Sequence, residues 1–181
     1  MIAGLRGVVG EYLADGVVVL DVQGVGYEVH LAAAEPLRTG ETVSVAVYTA
    51  VRDDAIVLYG FASHAERRLF ATLLATPGVG PSTALAALRT MTRERLVAAI
   101  DAGDVTALTS VPGIGAKTAQ RIVLELRGKL AEEATSLAGD LAEALRRLGY
   151  GPADLRRLDG VALPEDVADA LREALRVLGR T

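Results

Sequence analysis

The first third of the chain alternates apolar and polar positions in short runs that turn residues separate. Valine dominates these runs, and a period of two is typical of strands with one buried face. The pattern predicts five strands, over Ile2 to Val9, Gly16 to Val22, Gly26 to Leu31, Thr42 to Thr49 and Ala55 to Gly60. So many short strands in so small a segment predict a five-stranded barrel of the OB type, with an SH3-like barrel as the alternative.

From Glu66 onward the apolar positions recur at helical spacing. The predicted order is a helix from Glu66, a turn at Pro77 to Pro81, a helix to about Leu88, a helix capped by Thr92, a short helix over Val105 to Val111, and a last helix after a second turn. That last helix has its apolar stripe at Ala119, Ile122, Val123 and Leu126. Lys117 and Arg121 therefore lie on another face, where they can meet a ligand.

The two turns repeat one phrase, PGVGPSTA from Pro77 and PGIGAKTA from Pro112. In each copy a glycine turn opens a helix, whose first backbone N–H groups can hold an anion. Two such sites predict contacts with phosphates on both strands of a nucleic acid, without base readout. The alternative is two ordinary connecting turns. The predicted phosphate-binding residues are Gly78, Val79, Gly80, Pro81 and Ser82 at the first turn, and Gly113, Ile114, Gly115, Lys117, Thr118 and Arg121 at the second.

Charge is distributed unevenly along the 181 residues, whose net charge is −4. Residues 1–62 carry a net −5 and residues 131–181 a net −3, whereas residues 63–130, which contain both glycine turns, carry a net +4. Binding of nucleic acid depends on where the charges lie, so the positive segment strengthens the phosphate-binding interpretation.

The chain after the second hairpin predicts a linker and a small helical domain. Residues 131–139 are small, polar and acidic, which favours a linker over a frayed helical extension. Helices follow from Leu141 to Leu148, from Pro152, and from Pro164 to Leu178, with Gly149 ending the first. The predicted fold is α+β and multidomain: an OB-type barrel over 1–62, tandem helix-hairpin-helices over 63–130, a linker over 131–139, and a three-helix, UBA-like domain over 140–181.

Several kinds of chemistry are excluded or disfavoured. There is no cysteine, and His30 and His64 are too few for a histidine-based zinc site. The N-terminus lacks a signal-peptide pattern, so we expect a cytoplasmic protein without a membrane partner. The second turn resembles a nucleotide-binding P-loop, but Ala116 stands where that motif has glycine and a predicted helix precedes it. We therefore expect no intrinsic ATPase activity.

Asp53 and Asp54 are adjacent between two predicted strands. Three interpretations are open: a solvated turn, part of a metal-dependent nuclease centre, or a negative point that repels phosphates and parts strands. A hairpin-containing repair nuclease or glycosylase and a protein scaffold are the other function classes that the residues leave open.

Taken in order, these motifs resemble the RuvA family of Holliday-junction-binding subunits. The specific pieces are MIAGLRG at the start, GVGYEV from Gly24, VRDDAIVLYGF from Val51, the two hairpins, and LGYGPADL from Leu148. The resemblance extends over the whole chain. It implies a non-catalytic protein without cofactor or metal, whose homotetramer, alone or paired as an octamer, holds an open four-way DNA junction.

The same resemblance implies roles for the remaining motifs. Asp53 and Asp54 match the acidic pin of the family, the tail would recruit the hexameric RuvB ATPase, and the complex would act alongside the RuvC resolvase. The tail candidates for docking are Leu148, Tyr150, Leu155, Leu171 and Leu175. Two departures from the family pattern are Ser82 and Ala116, which stand where basic residues are common, and a third is the short linker. The two hairpin departures put more of the phosphate contact on Lys117 and on backbone amides, whereas the short linker would restrict how the tail meets the motor.

Overall fold

The computed structural model describes residues 1–33, 35–51, 55–130, 141–158, 161, 163–164 and 167–179. The chain divides into two compact units, Met1–Arg127 and Gly128–Thr181. The predicted linker, residues 131–139, lies outside the described residues.

Five strands of the first unit form a closed barrel. They are β1 (Gly4–Ala14), β2 (Val17–Val22), β3 (Val25–Leu31), β4 (Thr42–Val51) and β5 (Ile56–Phe61). The order around the barrel is β1-β2-β3-β5-β4; β3 and β5 are parallel, and β1 pairs with both β2 and β4. All five predicted strands and the five-stranded barrel of the OB type are confirmed.

Alternate residues along these strands fill the barrel. The buried set is Val9, Val18, Leu20, Val29, Leu31, Val45, Val47 and Leu58. Because the sheet closes on itself, both edges of every strand are paired, and the barrel provides a core of its own.

Five helices complete the first unit. They are α1 (His64–Leu74), α2 (Pro81–Thr90), α3 (Arg93–Ala102), α4 (Val105–Thr109) and α5 (Ala116–Leu126). The predicted cap at Thr92 is confirmed, since its hydroxyl accepts from the N–H of Arg95. Helix α4 is shorter than predicted: it ends at Thr109, and Ser110 caps it with a hydroxyl that donates to the carbonyl of Ala107 at 2.7 Å.

Phe70 anchors α1 to the barrel. Its ring is fully buried, and its centroid lies 5.3 Å from that of Tyr48, 5.0 Å from Tyr59 and 4.9 Å from Phe61. Aromatic rings at these separations and tilts attract one another beyond the area they bury. The first helix of the first hairpin is therefore packed directly on strands β4 and β5.

The second unit contains the helical residues 129–130 and three longer described stretches, α6 (141–147), α7 (Pro152–Arg156) and α8 (Val167–Leu178). Gly149 ends α6 as predicted, with a φ of +91° that favours glycine. Pro164 is not helical, so the predicted start of the last helix is wrong; α8 is described from Val167 onward. The buried core is Leu141, Leu145, Leu158, Ala170, Ala174 and Leu178.

A run without charges, Leu69 to Leu88, spans the end of α1, the first turn and most of α2. Within the part of the chain that the structure describes, every helix is too short or too polar to cross a lipid bilayer.

Candidate nucleic-acid interface

The first glycine turn connects α1 to α2. Gly78 has a φ of +90°, a conformation that residues with side chains seldom adopt, and the N–H of Val79 donates to the carbonyl of Thr76 at 3.1 Å. Gly80 is extended, with φ −92° and ψ 171°, and caps α2 without any side-chain hydrogen bond. The first amides of the helix therefore keep their donors for an external acceptor.

The second glycine turn connects α4 to α5 in the same conformation. Gly113 has a φ of +86°, the N–H of Ile114 donates to the carbonyl of Val111 at 3.1 Å, and Gly115 caps α5 with φ −88° and ψ 171°. The repeated sequence thus forms a repeated structure. A helix rather than a strand precedes this turn, which agrees with the prediction that it is not a P-loop.

The apolar residue between the glycines anchors each turn. Val79 and Ile114 are buried, whereas Gly78, Gly80, Gly113 and Gly115 are all exposed. The buried side chain fixes the conformation of the turn, while the backbone of its glycines faces solvent. A phosphate can approach such a backbone closely because no Cβ stands in the way.

The two turns differ in the donors they offer. Pro81 opens α2 and has no N–H, so this predicted phosphate-binding residue cannot contribute a backbone donor. Ala116 at the equivalent place in α5 has one. Ser82 and Lys117 are equivalent in the repeat and both are exposed, so a lysine is present only at the second turn.

Arg121 joins the two turns. It lies on α5, and its Nη1 donates to the carbonyl of Pro77 at 3.1 Å and lies 3.7 Å from the position that a Cβ would take on Gly78 in the first turn. Conversely, the Cβ position of Gly113 in the second turn is 3.3 Å from the hydroxyl of Thr83 on α2. The two turns therefore lie beside each other, with their glycines, Lys117 and Arg121 exposed.

Thr83 is the residue that sequence reasoning missed. Its repeat equivalent, Thr118, belongs to the predicted set, and the same alignment of the two copies would have pointed to Thr83. Of the predicted apolar stripe of α5, Ala119, Ile122 and Leu126 are buried and Val123 is half-buried; Lys117 and Arg121 are exposed, as predicted.

Thr76, just before the first turn, is a buried polar residue whose hydroxyl has no hydrogen-bond partner among the described residues. Its repeat equivalent is the buried Val111. An unpaired buried hydroxyl costs about 1–3 kcal/mol.

We therefore expect Thr76→Val to raise the free energy of unfolding by about 1 kcal/mol, measured by urea titration. The reverse change at the equivalent residue, Val111→Thr, should lower the free energy of unfolding. A loss of stability in Thr76→Val would contradict this account.

Comparison with known proteins finds two family models that match separate regions of the chain. The family described as RuvA N terminal domain matches residues 1–60, and the family described as SAM-like Helix-hairpin-helix tandem matches residues 70–129. These regions coincide with the barrel and with the helices that carry both glycine turns.

Relatives align with nearly the whole chain. A protein of Stenotrophomonas maltophilia (strain K279a) is 38% identical over 198 residues, covering 97% of this chain and 98% of its own, and one of Geobacter sulfurreducens is 39% identical, covering 98% and 99%. A protein of Solidesulfovibrio magneticus is 42% identical and covers 89% of both. All three are named Holliday junction branch migration complex subunit RuvA. The chain belongs to the RuvA family.

Asp53 and Asp54, the pair predicted to match the acidic pin of the RuvA family, lie outside the described residues. On either side of it, β4 and β5 remain paired as far as Val51 and Ile56, both of which are exposed. The assignment of the two aspartates as a pin stays a prediction.

The tail residues predicted for docking fall into two groups. Leu148 is 56% exposed, whereas Tyr150, Leu155, Leu171 and Leu175 pack against the core of the second unit. Apolar residues at helical spacing more often belong to a core than to a docking surface. Leu148 is therefore the strongest of these RuvA tail candidates for contact with a partner.

Among the described residues, no cluster of histidines and carboxylates could hold a metal ion.

Proposed function

We propose that this chain binds four-way DNA junctions by their shape and phosphate backbone, and that it acts as the non-catalytic DNA-binding subunit of a branch-migration complex. The relatives named above are subunits of such a complex by name. The single observation that carries the proposal is the pairing of two equivalent glycine turns at one surface, with Arg121 between them.

Phosphate chemistry explains why this surface suits DNA. Each turn offers backbone amides at a helix N-terminus, where the helix dipole favours negative charge. Lys117 and Arg121 add cations that are exposed and therefore accessible to a duplex. Two equivalent sites side by side match the two strands of a duplex arm. Such contacts position DNA and read no bases, so affinity should depend on DNA architecture rather than on sequence.

The other parts of the chain receive complementary roles in this proposal. Four copies form a homotetramer through the barrel, residues 1–62, so that each copy holds one arm of the junction with its hairpins, residues 63–130. A closed four-fold ring matches the symmetry of four arms, and two rings can enclose the junction. The tail, residues 140–181, recruits the RuvB ATPase, which supplies ATP hydrolysis, and RuvC cleaves junctions in the same assembly.

The test is a gel-shift titration of an immobile four-way junction against a linear duplex of the same sequences, near physiological salt. We expect the junction to be bound at least about tenfold more tightly. Equal affinities would reduce the function to generic duplex binding. Absence of binding to either DNA would favour a protein scaffold, and cleavage with magnesium present would favour a nuclease.

The acidic pair gives a separate prediction. Asp53→Asn together with Asp54→Asn removes two negative charges per copy, which we expect to leave junction binding in place and to reduce strand separation at the crossover, since the aspartates would oppose phosphates. Fluorescence of 2-aminopurine placed at the crossover, measured beside the gel shift, reports both effects. If the double variant lost its circular dichroism spectrum, the aspartates would be structural and the pin assignment wrong.

A further inference from the structure

Arg89 joins the helix that follows the first glycine turn to the barrel. It lies in the last turn of α2, and its Nε donates to the carbonyl of Leu31 at 2.8 Å while its Nη2 donates to the carbonyl of Gly16 at 3.0 Å. Leu31 ends β3, and Gly16 lies in the connection between β1 and β2. One guanidinium therefore binds two separate parts of the barrel.

The geometry of this contact is specific to arginine and glycine. A guanidinium presents its donors in a rigid planar fork, which lysine cannot reproduce. Gly16 has a φ of +68°, and a Cβ at this residue would overlap the guanidinium of Arg89. The carbonyl of Gly16 also accepts from the N–H of Leu31 at 2.8 Å, so the acceptor is itself held within the barrel.

Both helices of the first hairpin are thus attached to the barrel. Phe70 packs α1 against the aromatic residues of β4 and β5, and Arg89 bonds α2 to the end of β3. The second turn is joined to the first through Arg121 and the carbonyl of Pro77. A continuous series of contacts therefore runs from the barrel to both glycine turns.

We propose that Arg89 is a positioning residue that fixes the angle of the phosphate-binding surface relative to the barrel and so contributes to the preference for junctions over linear duplex. This inference rests on the proposed function. A linear duplex needs only one pair of turns, so its affinity depends little on that angle. A junction is bound by several copies at once, each holding one arm. If the phosphate-binding surface of each copy could move relative to its barrel, binding the junction would cost the conformational entropy of that motion.

The binding test compares the junction and duplex affinities of the wild type with those of Arg89→Met, which keeps the length of the side chain and removes its donors. We expect the ratio of the two affinities to fall by about fivefold or more, with duplex affinity nearly unchanged. Arg89→Lys keeps the charge without the fork and should give an intermediate ratio. Arg156→Met, at an exposed arginine of α7 outside the barrel and the hairpins, removes the same charge and should leave the ratio unchanged.

A second measurement follows the angle itself and needs no DNA. The chain contains no cysteine, so cysteines introduced at the exposed Ser44 on β4 and Ala98 on α3 can carry spin labels. Labelled protein diluted with unlabelled protein should show a broader distance distribution in Arg89→Met than in the wild type. If Arg89→Met failed to fold, the same comparison would be made with Arg89→Lys.

The outcomes separate this inference from the proposed function. An unchanged affinity ratio with an unchanged distance distribution would overturn the positioning role of Arg89, while the junction preference of the wild type would stand. Equal losses of junction and duplex affinity would also overturn it, because they would make Arg89 a phosphate contact or a purely structural residue. A wild type without junction preference would instead contradict the proposed function.

Discussion

Replacement of both Lys117 and Arg121 by alanine is expected to weaken DNA binding by at least tenfold, equally for DNA of any sequence. Both side chains are exposed at the paired turns, and a hydrogen bond to a charged group contributes about 1.5–3 kcal/mol, where about 1.4 kcal/mol corresponds to a factor of ten. The slope of log affinity against log salt should become shallower by about 0.9 for each phosphate that the variant no longer neutralises. Fluorescence anisotropy over a salt series measures both quantities.

Two further variants test whether the loss of DNA affinity depends on the position of the cations or only on their charge. Arg95→Ala removes an exposed cation of α3 outside both turns and should have a small effect. Ser82→Lys places a lysine at the first turn, where the repeat has Lys117 at the second, and should raise affinity and steepen the salt slope. A loss confined to particular base sequences would contradict phosphate recognition.

The second large effect is expected from Phe70→Ala. Truncation of a fully buried phenylalanine costs about 3–5 kcal/mol, and this ring contacts three aromatic residues of the barrel. Urea unfolding followed by tyrosine fluorescence suits the measurement, since Tyr12, Tyr27, Tyr48 and Tyr59 all lie in the first unit.

A matched control is available on the same barrel. Ile56→Ala removes a large apolar side chain that is 68% exposed, and its effect should stay within about 0.5 kcal/mol. If Phe70→Ala cost no more than this control, α1 would not depend on the aromatic cluster for its attachment to the barrel.

The barrel could be predicted from sequence because its signal is local. Valine-rich alternation marked all five strands, yet β1 extends to Ala14 although the pattern predicted an end at Val9. Its second half pairs with β2 through irregular register on both sides of Tyr12. Bulges break the period of two, so alternation cannot reveal that part of the strand.

From the sequence, each glycine turn of the candidate site could be predicted, but the contacts between the two turns could not. The glycine pattern indicated two equivalent hairpins, and the helical period placed Lys117 and Arg121 on an exposed face. The hydrogen bond from Arg121 to Pro77, the approach of Thr83 to Gly113 and the attachment of Arg89 to the barrel join residues distant in sequence. Such contacts follow from tertiary packing, which a single sequence does not disclose.

The most direct test of the account is hydroxyl-radical footprinting of the wild-type protein on an immobile four-way junction. Two paired turns that bind opposite strands predict protection of both strands in all four arms, with the same pattern when the arm sequences are exchanged. Protection of one strand only, or a pattern that moves with base sequence, would contradict recognition of the junction through its phosphates.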